Sequence, residues 1–151
     1  MNKLIAIIIF TVASIASVFG AESKERTIEV VAATLYHEAR GEGEEGLRAV
    51  ASVIYNRANQ KRWKKLGYSG VCLQKKQFSC HNNGFMKANP KKAGDKKAYK
   101  LCVKIATEIA NGTFKSTVGN ANHYCTNSCK VYWKKQLKNK KVVKNHVFGT
   151  L

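Results

Sequence analysis

The 151 residues are sized for one domain rather than several, and carry 27 basic against 9 acidic side chains for a formal net charge of +18. A balance this cationic points to an anionic partner. The single proline and the lack of any low-complexity run or internal repeat exclude a linker-rich or repeat protein.

Residues 1–20 read as a secretory signal peptide. A basic start at Lys3 leads into an apolar run from Leu4 to Phe19, and Val18-Phe19-Gly20 puts small residues before Ala21. A retained N-terminal membrane anchor is the alternative reading of the same run. Residues 21–151 are then the domain, long enough for one sizeable core. Export would allow disulfides among Cys72, Cys80, Cys102, Cys125 and Cys129. The odd count leaves at least one thiol free or paired between chains. Cys72 with Cys80 and Cys125 with Cys129 are the economical local pairs, and Cys102 reads as a buried thiol.

The first helix is expected from Thr27, as N-cap, to Ala39, with Ile28, Val31, Ala32, Leu35 and Ala39 at helical spacing. Gly41, Gly43 and Gly46 break it. A second helix follows from about Glu44 to Ala58 on a face of Leu47, Val50, Ala51, Ile54 and Ala58. Its N-terminal Glu44 and Glu45 suit the positive end of the helix dipole. The stretch from Gln60 to Gly84 is basic and irregular. Asn89-Pro90 starts a third helix running to about Asn111, where Gly112 stops it. Beyond Gly119 no helical period is clear, and Val131-Tyr132-Trp133, Val142-Val143 and Val147-Phe148 read as short strands or extended packing segments. The fold class is mainly α, with at most a few short strands.

Charge is unevenly placed. Residues 21–60 hold five basic residues and seven glutamates, whereas 61–151 hold 21 basic residues against only Asp95 and Glu108. In that setting Glu38 stands out. It lies three residues after Leu35 and seven after Val31, so it shares the apolar face of the first helix. A carboxyl held half out of water favours its protonated form, which is what a general acid needs at neutral pH. Glu42, one turn on and more solvated, would complete a pair of carboxyls in unlike environments. The plainer reading makes Glu38 a helix-end residue paired with an arginine.

His37-Glu38-Ala39-Arg40-Gly41-Glu42, Gly46, Ala49 to Ile54 and Asn56-Arg57 together resemble the opening motif of the cell wall hydrolase family that includes spore cortex-lytic enzymes. Three further blocks follow in the family's order. They are Gln77-Phe78-Ser79-Cys80, Asn122-His123-Tyr124, and Trp133 with Asn145-His146-Val147-Phe148. The likeness runs from about Ile28 to Phe148. It implies a small lysozyme-like helical domain that cleaves peptidoglycan between its amino sugars. No cofactor or metal is expected, and the chain is expected to be a monomer. It places the family's catalytic glutamate on Glu38. It also suggests lytic transglycosylase chemistry, in which one carboxyl serves as acid and then base. A two-carboxyl hydrolytic muramidase, with Glu42 as the second group, stays open. Gln77, Phe78, His123 and Tyr124 are the expected substrate-binding residues beside Glu42, although core packing explains Phe78 and Tyr124 equally well. The chain departs from the family in His81, where relatives carry a Trp, and in Lys115-Ser116-Thr117, where they often carry Asp-Pro-Thr.

Two other readings compete for some of these residues. His123, Cys125, Cys129 and His146 include zinc-ligand types, but their spacing fits no zinc finger, and Gly41 breaks a His-Glu-x-x-His pattern. A non-catalytic cationic protein bound to an anionic cell envelope, or to nucleic acid, explains the lysines alone. No recognition helix or aromatic-basic RNA motif supports a dedicated nucleic-acid partner.

Overall fold

The computed structural model describes residues 22–151, so the expected signal segment lies outside the described residues. Four helices precede a small sheet: α1 (Lys24–Ala39), α2 (Gly43–Asn59), α3 (Gly67–Leu73) and α4 (Ala93–Ala110), then β1 (His123–Thr126), β2 (Lys138–Val143) and β3 (His146–Thr150). The class is the expected mainly α one. Single 3-10 turns occupy Lys64–Leu66, Ser79–His81 and Tyr132–Gln136. Tyr132-Trp133 is therefore helical turn rather than strand. Among the described residues, no helix is long and apolar enough to cross a membrane.

Helix α1 is the spine of the molecule. Val30, Val31, Ala32 and Leu35 are fully buried, and the core they join takes in Val50 and Ile54 of α2 and Ile105 and Ile109 of α4. Each of the valine, leucine and isoleucine side chains contributes on the order of 1.5–3 kcal/mol by leaving water. The helix starts at Lys24, earlier than Thr27, because Ser23 is the cap and its Oγ accepts the Arg26 N–H at 3.1 Å. Between α1 and α2 the chain reverses at Gly43, whose φ of +69° suits glycine. At Gly46 a Cβ would run into the Glu42 side chain, so this close approach also requires glycine. Helix α4 begins at Ala93, three residues beyond Pro90, and an ion pair adds to its apolar packing on α2. Arg48 donates Nη1 and Nη2 to the two carboxylate oxygens of Glu108, both at 2.8 Å.

Helix α3 falls in the stretch that reads as irregular. Its N-terminal amides are satisfied from far away: the Tyr68 and Ser69 N–H groups donate to the Glu22 carboxylate at 2.9 and 2.7 Å. This is capping by a residue 46 positions earlier.

The sheet is antiparallel in the order β1-β3-β2, with Tyr124 opposite Phe148 and Cys125 opposite Val147. Cys125 and Cys129 form a disulfide, whereas Cys72, Cys80 and Cys102 remain thiols. The other expected local pair, Cys72 with Cys80, does not form, and Cys102 is buried as expected.

His81, which departs from the family pattern, is only 3% exposed. Its Nδ1 accepts the Met86 N–H at 3.1 Å, which leaves Nε2 as the protonated nitrogen facing Thr34 Oγ1 at 2.9 Å. That hydroxyl passes the chain on to the Val30 carbonyl at 2.7 Å. Burial lowers the His81 pKa, with the charges of His37 and Arg26 adding to the effect. The unfolded chain therefore takes up this proton first. The stabilisation is complete above the unfolded value of about 6.5 and is lost as pH falls below it, by up to about 1.4 kcal/mol per pH unit. Thermal melts of the wild type should show a falling midpoint between pH 7 and 5. His81→Gln should be less stable at pH 7 and show a flatter profile over that range, and an unchanged slope would contradict the assignment.

Candidate active site

The C-terminal turn of α1 brings Glu38 to the wall of a cleft of about 690 Å³, lined also by residues of the 76–82 segment, by β1, by Val131 and Trp133 and by His146 at the start of β3. Glu38 Oε2 accepts a hydrogen bond from the Tyr124 hydroxyl at 2.9 Å. Tyr124 is held from behind by Phe148, which stacks on it at 5.5 Å between ring centres, and from the side by the edge of His146 at 5.6 Å. Burial, then the adjacent Glu38 carboxylate, raise the Tyr124 pKa well above 10, so the phenol stays a proton donor in this contact. The Cys80 thiol is likewise pushed up to about 12, first by burial and then by Glu38. It therefore stays a neutral thiol against the carboxyl.

Among the cleft-lining residues Glu38 is the single acid. The other eight acidic residues of the chain lie elsewhere. Glu44 and Glu108 pair with Arg48, Asp95 with Arg40, Glu45 with Lys144 and Glu29 with Arg26. Glu22 caps α3, Glu25 sits exposed in the first turn of α1, and Glu42 has its own partner in Asn145.

The sequence matches the cell wall hydrolase family model over residues 41–149. The chain belongs to the cell wall hydrolase family. It is thereby one of the enzymes that cleave peptidoglycan. The fold is similar to the crystal structure of the catalytic domain of the Bacillus cereus SleB protein, with 26% identity, 85% of this chain and 92% of that chain covered, and a TM-score of 0.62. It is also similar to the catalytic domain of the germination-specific lytic transglycosylase SleB from Bacillus anthracis, at 25% identity, 87% and 98% coverage and a TM-score of 0.61. No curated protein matches the sequence. Glu38 stands three residues ahead of the span matched by the family model.

In this cell wall hydrolase, Gln77, His123 and Tyr124 line the same cleft as Glu38. Phe78 does not. It is 1% exposed in the core, where the Arg57 guanidinium lies over its ring at 5.6 Å. Glu42 does not line the cleft either. Its carboxylate accepts the Asn145 backbone N–H at 3.2 Å and the Asn145 side-chain amide at 3.1 Å. It thereby pins the two-residue turn between β2 and β3, where Lys144 has a φ of +51°. The Asn145 side-chain bond is the main cause of the lowered Glu42 pKa. Glu42 thus acts on the cleft through the hairpin that delivers His146.

His123 donates from Nδ1 to Asn122 Oδ1 at 2.7 Å, so Nε2 is its acceptor nitrogen. Burial, together with the positive charges of Arg57 and Arg62, lowers its pKa and keeps the ring neutral. Its ring meets the edge of Trp133 at 5.6 Å. Cys125 and Cys129, half of the candidate zinc set, are joined to each other and offer no thiolate. The segment Lys115-Ser116-Thr117 docks on α2, with the Thr117 N–H donating to Ser52 Oγ at 2.9 Å, and does not line the cleft.

Arg57 has no role on sequence grounds beyond its place in the opening motif, yet it lines the cleft. It is 6% exposed, with Nε donating to the Asn122 carbonyl at 2.7 Å. Its burial without a carboxylate partner lowers its pKa. It lies three residues after Ile54 and seven after Val50. This is the same placement on an apolar face that singled out Glu38.

Proposed function

We propose that this enzyme is an exported lytic transglycosylase that cleaves the bond between N-acetylmuramic acid and N-acetylglucosamine, with Glu38 as the group that moves both protons. The observation that carries the reading is the single carboxyl in the cleft wall. Ordinary glycoside hydrolysis uses two carboxyls flanking the scissile bond. A hydroxyl nucleophile supplied by the substrate removes the need for the second. Glu38 gives its proton to the glycosidic oxygen as the C1–O bond breaks. The resulting carboxylate then takes the proton of the muramic 6-hydroxyl, whose oxygen bonds to C1 and closes a 1,6-anhydro ring. Glu38 ends protonated as it began, and no water is consumed. Further support comes from the Bacillus anthracis neighbour, itself described as a lytic transglycosylase. The Cys125–Cys129 disulfide suits an oxidising compartment outside the cytosol.

Mass spectrometry of purified peptidoglycan digested with the protein tests the reading. Anhydromuramoyl ends are the expected product, and reducing muramoyl ends would make the enzyme a hydrolytic muramidase. Tyr124→Phe keeps the ring stacked on Phe148 but removes the donor to the Glu38 carboxylate. The bond strengthens as Glu38 gives up its proton and becomes a charged acceptor, so its loss removes part of the roughly 1.5–3 kcal/mol of a charge-assisted hydrogen bond from the transition state, and kcat should fall by roughly tenfold. An unchanged kcat would remove Tyr124 from the mechanism.

The lysine excess supports a second element of the proposal, retention on an anionic envelope. Lys138, Lys140 and Lys141 of β2 are exposed together at the sheet edge. Co-sedimentation with envelope material should weaken steeply as salt rises and be the same for Glu38→Gln. Binding indifferent to salt would contradict it.

A further inference from the structure

Beyond the cleft lies a second concavity of about 430 Å³, formed by Cys129, Lys130, Val131, Tyr132, Lys134 and Lys135. Val131 belongs to both, so the two spaces share a wall. Tyr132 is 80% exposed, and Val131 beside it is 39% exposed. A tyrosine in that position contributes almost nothing to the core, and two neighbouring apolar side chains in water cost solubility.

The segment is nonetheless firmly held. The disulfide joins Cys125, in the cleft wall, to Cys129, in the outer concavity. The Asn127 N–H donates to the Asn145 carbonyl at 2.7 Å, and Lys134 Nζ donates to the carbonyls of Asn127 and Cys129. Trp133 is anchored by its edge contact with His123. Lys134 is thus spent on the loop, whereas Lys130 and Lys135 are exposed and make no ion pair among the described residues.

We infer that the Lys130–Lys135 turn is an outer glycan subsite, in which Tyr132 stacks on a sugar ring of the strand beyond the scissile bond and Lys130 and Lys135 engage carboxylates of the stem peptides. The inference rests on the peptidoglycan reading above. The apolar face of a pyranose ring buries well against a flat aromatic surface, and tyrosine supplies that surface at low entropic cost. Stem peptides are the part of a peptidoglycan strand that carries carboxylates, which gives two unpaired lysines a complementary ligand. Because Val131 lines both spaces, a polymer leaving the cleft past Val131 reaches this platform next.

The test compares the wild type with Tyr132→Ala, Tyr132→Trp and the double reversal Lys130→Glu/Lys135→Glu, each confirmed as folded by circular dichroism. Two readouts are taken: kcat/KM on polymeric strands relative to a two-disaccharide fragment, and co-sedimentation with peptidoglycan. Tyr132→Ala should lower the polymer-to-fragment preference by roughly three- to tenfold, and Tyr132→Trp should retain it. The charge reversal should weaken co-sedimentation with intact peptidoglycan, and have less effect once an amidase has stripped the stems. A Tyr132→Ala preference equal to wild type would overturn the sugar platform. A charge reversal indifferent to stem removal would overturn the lysine assignment. If the wild type cleaves neither substrate, the transglycosylase reading fails by itself. Co-sedimentation of Tyr132→Ala then decides the platform, with weakened binding sustaining it and unchanged binding overturning it.

Discussion

Glu38→Gln is expected to lower peptidoglycan-cleaving activity by about a thousandfold while leaving the fold and melting temperature close to wild type. Positioned acid–base catalysis contributes about 10²–10⁴ in rate, and here one residue carries both the acid and the base step. Glutamine keeps the size of the side chain and can still accept the Tyr124 hydrogen bond at the same 2.9 Å contact. What it lacks is a proton to give to the glycosidic oxygen and a carboxylate to take one from the 6-hydroxyl. No second acid lines the cleft, so no other carboxyl is placed to substitute. Turbidity loss of purified peptidoglycan measures the effect. A Glu38→Gln protein with more than a tenth of wild-type activity would remove Glu38 from the centre of the mechanism.

Phe148→Ala is expected to be strongly destabilising, and to disable the site as well. Phe148 is fully buried in β3, opposite Tyr124 in the sheet register and stacked on its ring. Removing a buried phenylalanine ring costs about 3–5 kcal/mol, a large share of the roughly 5–15 kcal/mol that holds a domain together. The ring that presents the hydroxyl to Glu38 would lose its backing, so activity should fall more than unfolding alone explains. Urea denaturation measures the stability, and activity per folded molecule at low temperature measures the site. A loss under about 1 kcal/mol would mean that the sheet is not the structural base of the cleft.

Helical geometry and the ordered family motifs made half of the site legible. Glu38 could be placed because a 16-residue helix carries enough apolar positions to define a face. Arg57 satisfies the same geometric test on α2, yet an arginine near a helix end has an ordinary alternative in the helix dipole, and nothing local marks it as buried. The strand side of the cleft was harder to read. Strands of four and five residues are too short for a two-residue period to emerge, and the β2–β3 turn uses Lys144-Asn145 rather than an Asn-Gly pair. Its stability comes from Glu42, about a hundred residues earlier in the chain, which is why Glu42 read as a candidate ligand instead of a clamp. Phe78 shows the same limit: an aromatic in a family block can face the cleft or the core, and this one packs in the core. Helix α3 was hidden because its cap comes from Glu22 and not from a neighbouring residue.

The proposed mechanism requires that one carboxyl perform both proton transfers and that no water enter the product. Digestion of peptidoglycan in ¹⁸O-enriched water, followed by mass spectrometry of the new muramoyl ends, tests this for the wild type and for Glu42→Gln. Anhydro ends free of ¹⁸O are expected from both proteins, with the chemistry of Glu42→Gln unchanged in kind. Reducing ends that carry ¹⁸O in the wild type, and that vanish in Glu42→Gln, would show a second carboxyl activating water and would contradict the single-carboxyl mechanism.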